Sequence, residues 1–264
     1  MRVATWNVNS IRARIDRVAS WLERRDIDVL AMQETKCRDD QFPHEPLRAL
    51  GYDVAHHGLS AWNGVAVVSR VGLEDVEVGF QGQPHWGEPL AAEARALGAT
   101  CGGVRIWSLY VPNGRTLADP HYVYKLDWML RLRDAAADWL VTDAAAPVML
   151  AGDWNVAPLD EDVWDMGVFA HSTHVSAPER AAFEAIIDAG YADVVRPHTP
   201  GPGTYTYWDY TRLRFPRREG MRLDFALCSP ALAARVTGAE IDRQERKGKG
   251  ASDHAPVIVQ LARM

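Results

Sequence analysis

Four short segments of this chain carry side chains that could do chemistry together. Trp6-Asn7-Val8-Asn9 supplies two amides, and Gln33-Glu34-Thr35-Lys36 supplies a carboxylate. Gly152-Asp153-Trp154-Asn155 puts a carboxylate and an amide two residues apart, and Ser252-Asp253-His254 sets a carboxylate beside an imidazole. Glu34, Asp153 and Asp253 offer oxygen ligands, while Asn7 and Asn155 can both donate and accept. A donor set with much oxygen, one imidazole and no thiol suits a hard divalent cation, Mg²⁺ with Mn²⁺ as a substitute. Such a cation keeps several waters and fills its shell with substrate phosphate oxygens. The amides and imidazole can hold the remaining phosphate oxygens, and a carboxylate can take a proton from water. This is equipment for hydrolysing a phosphate ester.

Each piece alone has a plainer explanation. A Glu after a strand is usually solvated, an Asp-x-Asn is usually a turn or cap, and an Asp-His pair is usually on the surface. What favours chemistry is that all four pieces fall at predicted strand ends, where α/β sheets bind ligands.

The elements that would position them are legible. Residues 2–7 and 28–32 read as strands, with a helix between them carrying Ile11, Ile15, Val18 and Leu22 and starting at Ser10. This β–α–β opening indicates an α/β protein. Further strands are expected near 52–57, 64–69, 104–111, 148–151, 204–208, 223–228, 239–242 and 256–261. Asp119 before Pro120 starts a helix to about 141, with Leu126, Met129, Leu130 and Leu140 as its apolar stripe. Another helix is expected at 178–189. Strand alternation puts Asp153 and Asn155 on one face, turns Trp154 into packing, and likewise pairs Asn7 with Asn9. The Gly/Pro-rich segment 197–203 reads as a loop, so residues 1–264 are expected to form one catalytic domain. Similar proportions of strand and helix in the two halves hint at a pseudo-repeat.

Composition narrows the function classes. A net charge of −6 argues against a protein that coats DNA non-specifically, though not against a local basic face. The three cysteines form no CxxC pair, which excludes a zinc ribbon or a disulfide framework. Without a signal-peptide pattern or a bilayer-length apolar run, the expected setting is cytoplasmic, nucleoid-associated when acting, with no membrane partner. Nothing calls for an obligate partner, so a monomer is expected. His171 and His174, in a Ser/Thr-rich loop, read as surface histidines, and His56-His57 as strand surface.

The order of these segments, with Tyr110-Val111-Pro112-Asn113 and Arg222-Leu223-Asp224 between them, closely resembles exonuclease III and the related abasic-site endonucleases. The resemblance runs from residue 1 to about 262. The wider endonuclease–exonuclease–phosphatase superfamily shares the Asn, Glu, Asp-x-Asn and Asp-His elements, and a relative acting on another phosphate ester, such as a lipid headgroup, is the alternative. The fold this implies is a four-layer α/β sandwich of two mostly antiparallel sheets packed face to face, with flanking helices. The implied activity is Mg²⁺-dependent incision of duplex DNA 5′ to abasic sites, with removal of nucleotides or blocking groups from 3′ ends. Asn7, Glu34, Asp153, Asn155 and Asp253 would lie around the metal. Asp153 would orient or deprotonate the attacking water, and Asn155 and His254 would hold the phosphate. Asp253 would orient the imidazole, Tyr110 would assist the leaving oxygen, and Asp224 would support the site.

On the DNA side, the resemblance implies a pocket walled by Tyr207, Trp208, Met221 and Leu223. Some relatives have a large aromatic where this chain has the softer Met221. Asn113 and Arg115 follow the Tyr110 strand towards DNA. Arg212, Arg214, Arg217, Arg218 and Arg222 form one basic cluster, and Arg243, Arg246, Lys247 and Lys249 a second. Both could neutralise phosphates. Arg12, Arg14, Arg17, Arg24 and Arg25 read as a solvated helix face.

Overall fold

The computed structural model describes residues 1–262. Its first sheet holds β1 (Arg2–Asn7), β2 (Val29–Gln33), β3 (Asp53–His57), β4 (Val65–Ser69), β11 (Val236–Ile241) and β12 (Val257–Leu261). Their order is β11-β12-β1-β2-β4-β3. The second holds β5 (Glu74–Val78), β6 (Ala96–Cys101), β7 (Val104–Tyr110), β8 (Val148–Asp153), β9 (Ala192–Asp193) and β10 (Asp224–Cys228), in the order β5-β6-β7-β8-β10-β9. Each sheet has one parallel pair, β1 with β2 and β7 with β8, and is otherwise antiparallel.

The pseudo-repeat is topological. α1 (Ile11–Arg25) joins β1 to β2, and α3 (Pro120–Thr142) joins β7 to β8. In both sheets an antiparallel strand and then an edge strand follow the second strand of the parallel pair. No residue-level similarity accompanies it, because topology constrains only where apolar faces fall.

Three clusters of buried side chains make four layers. Val3, Val29, Ala31 and Val67 meet Ala99, Ile106, Met149, Ala151 and Ala226 between the two sheets. The outer face of the first sheet packs under α1 and α2 (His44–Arg48), around Trp6, Trp21 and Leu22. The outer face of the second packs under α3 and α5 (Ala177–Asp188), around Trp128, Trp154 and Phe183. The expected sandwich is therefore the observed one. Smaller helices α4 (Met166–Phe169), α6 (Arg214–Arg217) and α7 (Pro230–Ala233) complete the fold. Among the described residues no helix is long and apolar enough to cross a membrane.

Several elements differ from expectation. β5 and β6 were not legible: β5 is a wholly exposed edge strand of Glu, Asp and Val, and β6 is rich in small residues that carry little strand signal. Residues 204–208 form no strand. Tyr207 makes only single bridges, to Met221 and to His254. Ser10 does not cap α1, since its backbone sits at φ 88° and its side chain makes no cap bond. Asp119 does cap α3, accepting from His121 N. The buried stripe of α3 is His121, Tyr124, Lys125, Trp128, Met129, Leu132, Ala135 and Ala136, whereas Leu130 is exposed. Of the expected stripe, Met129 is buried and Leu140 packs on the core, but Leu130 faces outward, and His121, Tyr124, Lys125 and Trp128 extend the buried face instead.

Candidate active site

Strand alternation builds the site. Val3 of β1 and Met149 and Ala151 of β8 point between the sheets, as do Ala226 and Cys228 of β10. Continuing that period brings Asn7, Asp153 and Asp224 onto the same inner face at one end of the sandwich. Tyr110, at the end of β7, packs on the same cluster. The inner face is thus apolar in the core and polar at this mouth. Gln33 marks the transition: its Nε2 donates to Ser108 Oγ across the two sheets at 3.0 Å. Gly152 lets β8 lie close to β7, for a Cβ there would sit 1.9 Å from Leu109 O.

At the mouth, Asn7 joins two carboxylates. Its Nδ2 donates to Glu34 Oε1 at 2.8 Å and to Asp153 Oδ2 at 2.9 Å. Its Oδ1 accepts from Asn9 N, so the amide faces the carboxylates as a donor and not, as the sequence suggested, as an oxygen ligand. Glu34 leaves β2 at φ 52°, and Lys36 Nζ lies 2.7 Å from its Oε2. Burial works to raise the Glu34 pKa, but Lys36 and Asn7 more than offset it and hold the carboxylate below its ordinary range.

His254 sits against two aspartates. Asp224 Oδ2 accepts from Nδ1 at 2.8 Å, and Asp153 Oδ2 lies 3.7 Å from Nε2. Burial opposes the imidazolium, yet Asp224 and Asp153 outweigh it and push the pKa up to about 10. The Asp153 carboxyl is itself pushed up to about 7, first by burial and then by Asp224 and Glu34, against the pull of His254. Tyr110 is raised well above its usual value, again by burial first and then by Glu34, so its phenol stays protonated.

Asp253 does not orient the imidazole. Its Oδ1 accepts from Asn9 Nδ2 at 3.0 Å instead. Asn155 is also more engaged than expected. At φ 49° its N–H bonds Asp153 Oδ1, its Nδ2 donates to Val111 O, and its Oδ1 accepts from Asn113 Nδ2. One N–H of each amide remains for a phosphate oxygen, so Asn155 can serve as a donor there. Arg115 is exposed at the rim, its guanidinium 3.7 Å from Asp119.

The donor set fits a hard cation. Carboxylates of Glu34, Asp153 and Asp224 crowd together, and Asp224 Oδ1 is buried without a hydrogen-bond partner. Ligand atoms of Asp153, Asp224 and His254 lie within 4.8 Å of one another. A charged His254 would repel a cation in that triad and already bonds Asp224. Glu34 and Asp153, joined by Asn7, offer a second group of carboxylate oxygens, with Lys36 paired to Glu34.

The pocket wall is partly different from expectation. Tyr207 and Met221 line a cavity of about 250 Å³ with Trp164, Phe169, His174 and Arg214. Trp208 and Leu223 do not line it. Trp208 is buried with Tyr205 and Ala255, and Leu223 packs with Ala157 and Val163. His174 is not a surface histidine: its Nδ1 bonds Asn155 O, and burial lowers its pKa to about 4. His56 is likewise turned inward, against Thr35 and Asp39. Nothing in the Ser/Thr-rich sequence distinguished His174.

The basic clusters are thinner than their sequence. Arg222 is buried and bonds Thr199, Arg246 is buried against Trp208 O, and Arg214 and Arg217 pair with Glu219. Arg212, Arg218, Lys247 and Lys249 remain exposed. Arginines of α1 are not simply solvated: Arg14 bonds Ala251 O, Arg17 and Arg24 pair with Glu245, and Arg25 pairs with Glu240.

Residues 4–254 match the endonuclease/exonuclease/phosphatase family. The exodeoxyribonuclease III of Haemophilus influenzae is 27% identical over 99% of this chain and 100% of its own. A 3′ phosphatase from Neisseria, solved with a product DNA hairpin, is 34% identical with a TM-score of 0.93, covering 100% of both chains. An AP endonuclease from Archaeoglobus fulgidus is 33% identical with a TM-score of 0.91, covering 99% of both.

Proposed function

The chain belongs to the endonuclease/exonuclease/phosphatase family, and from that premise we propose how its site acts on DNA. It is a metal-dependent hydrolytic nuclease of DNA repair, of the exodeoxyribonuclease III and AP endonuclease type. Its substrates are duplex DNA with an abasic site, which it incises on the 5′ side, and duplex 3′ ends from which it removes a nucleotide or a blocking group such as a phosphate. The observation that carries this reading is the junction at Asn7, which draws Glu34 and Asp153 together beside the His254–Asp224 pair.

Glu34 and Asp153 would hold Mg²⁺, with Asp253, bonded to Asn9, nearby. The cation, when bound, supplies charge neutralisation at the phosphate and favours ionised Asp153. Ionised Asp153 takes a proton from the attacking water or fixes its position. His254, kept charged by Asp224, donates to a phosphate oxygen as negative charge grows there. The remaining N–H groups of Asn155 and Asn113 hold the same phosphate. Tyr110, kept protonated, donates to the departing oxygen. The protein works as a monomer in this scheme.

A second reading gives 3′-end processing the larger share. His174 narrows the cavity that an extruded sugar would enter. A terminal 3′ phosphate does not need that space, and the Neisseria relative is a 3′ phosphatase.

Both readings are tested on labelled duplexes carrying an abasic analogue, a 3′ phosphate or a plain 3′ end, each with Mg²⁺ and with EDTA. Mg²⁺-dependent product from any of them, absent with EDTA, supports the common proposal, and their ratio chooses between the readings. No product from all three with either Mg²⁺ or Mn²⁺ overturns it.

A further inference from the structure

Lys125 lies in the second turn of α3 with its side chain wholly buried, as is its partner Glu179 at the start of α5. A buried lysine needs an acceptor for each proton. Lys125 Nζ finds three: Glu179 Oε1, Asn155 O at 2.6 Å and Asn113 O at 3.2 Å. Glu179 in turn accepts from His174 N at 2.9 Å and from Ser176 Oγ. Thr173 Oγ1 lies 2.6 Å from Glu179 Oε1 and 3.1 Å from Asn113 O. One ion pair therefore gathers three loops, those of Asn113, Asn155 and His174.

These loops have conformations that do not hold themselves. Asn155 and His174 both have left-handed backbones, at φ 49° and 78°. Gly114 sits at φ 89°, where a Cβ would lie 2.7 Å from Thr173 Oγ1 and 3.2 Å from Lys125 Cδ. Left-handed backbone at non-glycine residues persists only where the surroundings over-determine it. A buried ion pair adds little net stability against an apolar replacement, so stability alone is a weak reason for it here.

We propose that Lys125 and Glu179 are positioning residues, fixing the backbones of Asn113 and Asn155 so that both amides reach the substrate phosphate together. The inference rests on the functional reading above. It assigns the pair no contact with substrate.

The test uses K125M, E179Q and the double variant K125M/E179Q of the whole chain. Breaking one partner leaves a buried charge unpaired and should lower Tm, whereas the double variant should recover much of that loss. K125M and the double variant both lack the donor to Asn113 O and Asn155 O. Both should lose roughly tenfold to a hundredfold in kcat with KM within about twofold, the size expected of misplaced phosphate-binding groups. E179Q, which keeps that donor, should lose less kcat despite a lower Tm. The side-chain NH₂ resonances of Asn113 and Asn155 should move in the metal-free double variant. If kcat follows Tm across the three variants, the pair is merely structural and the proposal is overturned. A parent protein that cleaves none of the three duplexes refutes the functional reading instead. The Asn resonances then decide the positioning role, and unmoved resonances overturn it.

Discussion

The carboxylate bonded to His254 is Asp224, 2.8 Å away across the sheet mouth, and not Asp253, its neighbour in sequence. Asp224→Asn should therefore reduce kcat by about 10²-fold or more, because the imidazolium loses the charge and acceptor that sustain it. Asp253→Asn should cost less by this route. Equal effects on kcat and on its pH profile would contradict the assignment.

Asp153→Asn should separate catalysis from stability. Turnover should fall by about 10³-fold, since neither water activation nor cation binding survives. In EDTA at pH 8 the same variant should melt higher than the parent, because burial, and then Asp224 and Glu34, disfavour the Asp153 carboxylate. An unchanged or lower melting temperature would mean that the carboxylate is better solvated than its burial indicates.

The raised His254 pKa has a direction in pH. A folded pKa of about 10 above an ordinary 6.5 favours the protonated fold. That contribution is complete below about pH 6.5 and is lost as pH rises towards 10. Metal-free protein should thus melt at lower temperature as pH goes from 6.5 to 10, and His254→Gln should flatten that slope. Asp153, pushed up to about 7, follows the same sign over a lower window, from its ordinary 3.8 to about 7.

Cation binding should reverse part of this. A divalent ion stabilises ionised Asp153, so Mg²⁺ should raise Tm more at pH 8 than at pH 5.5 and release protons on binding. Calorimetry in two buffers of different ionisation enthalpy measures that release. A pH-independent rise in Tm would place the ion elsewhere.

DNA binding should weaken steeply with salt through the exposed cations. Arg218→Ala should lower the slope of log K against log salt by about 1 and leave Tm unchanged. Arg222→Ala should do the opposite, leaving the slope and costing about 2–4 kcal/mol of stability, since it is buried. A lowered slope for Arg222→Ala would restore it to the DNA face.

His174→Ala should raise abasic incision relative to 3′-phosphate removal by enlarging the cavity shared with Tyr207 and Met221. Competition between the two labelled duplexes measures the ratio, and an unchanged ratio would remove His174 as a determinant.

Much of this molecule was legible before folding. Asn7, Glu34, Asp153 and His254 stand in short segments at strand ends, and a period of two already put Asp153 on the face opposite Trp154. The helix at 178–189 was equally visible, but not the buried work of Glu179 at its start. Lys125 was not legible because a lysine on a helix normally reads as solvent-facing.

The sequence by itself determined the donor inventory, the β–α–β opening and the apolar faces, because each depends on residue type and local period. Tertiary structure alone decided which aspartate serves His254, which arginines remain exposed, and that Lys125 holds two loops far apart in the chain. Those outcomes depend on distances between segments that only sheet packing brings together, and on burial, which gives identical side chains different charge states and different work.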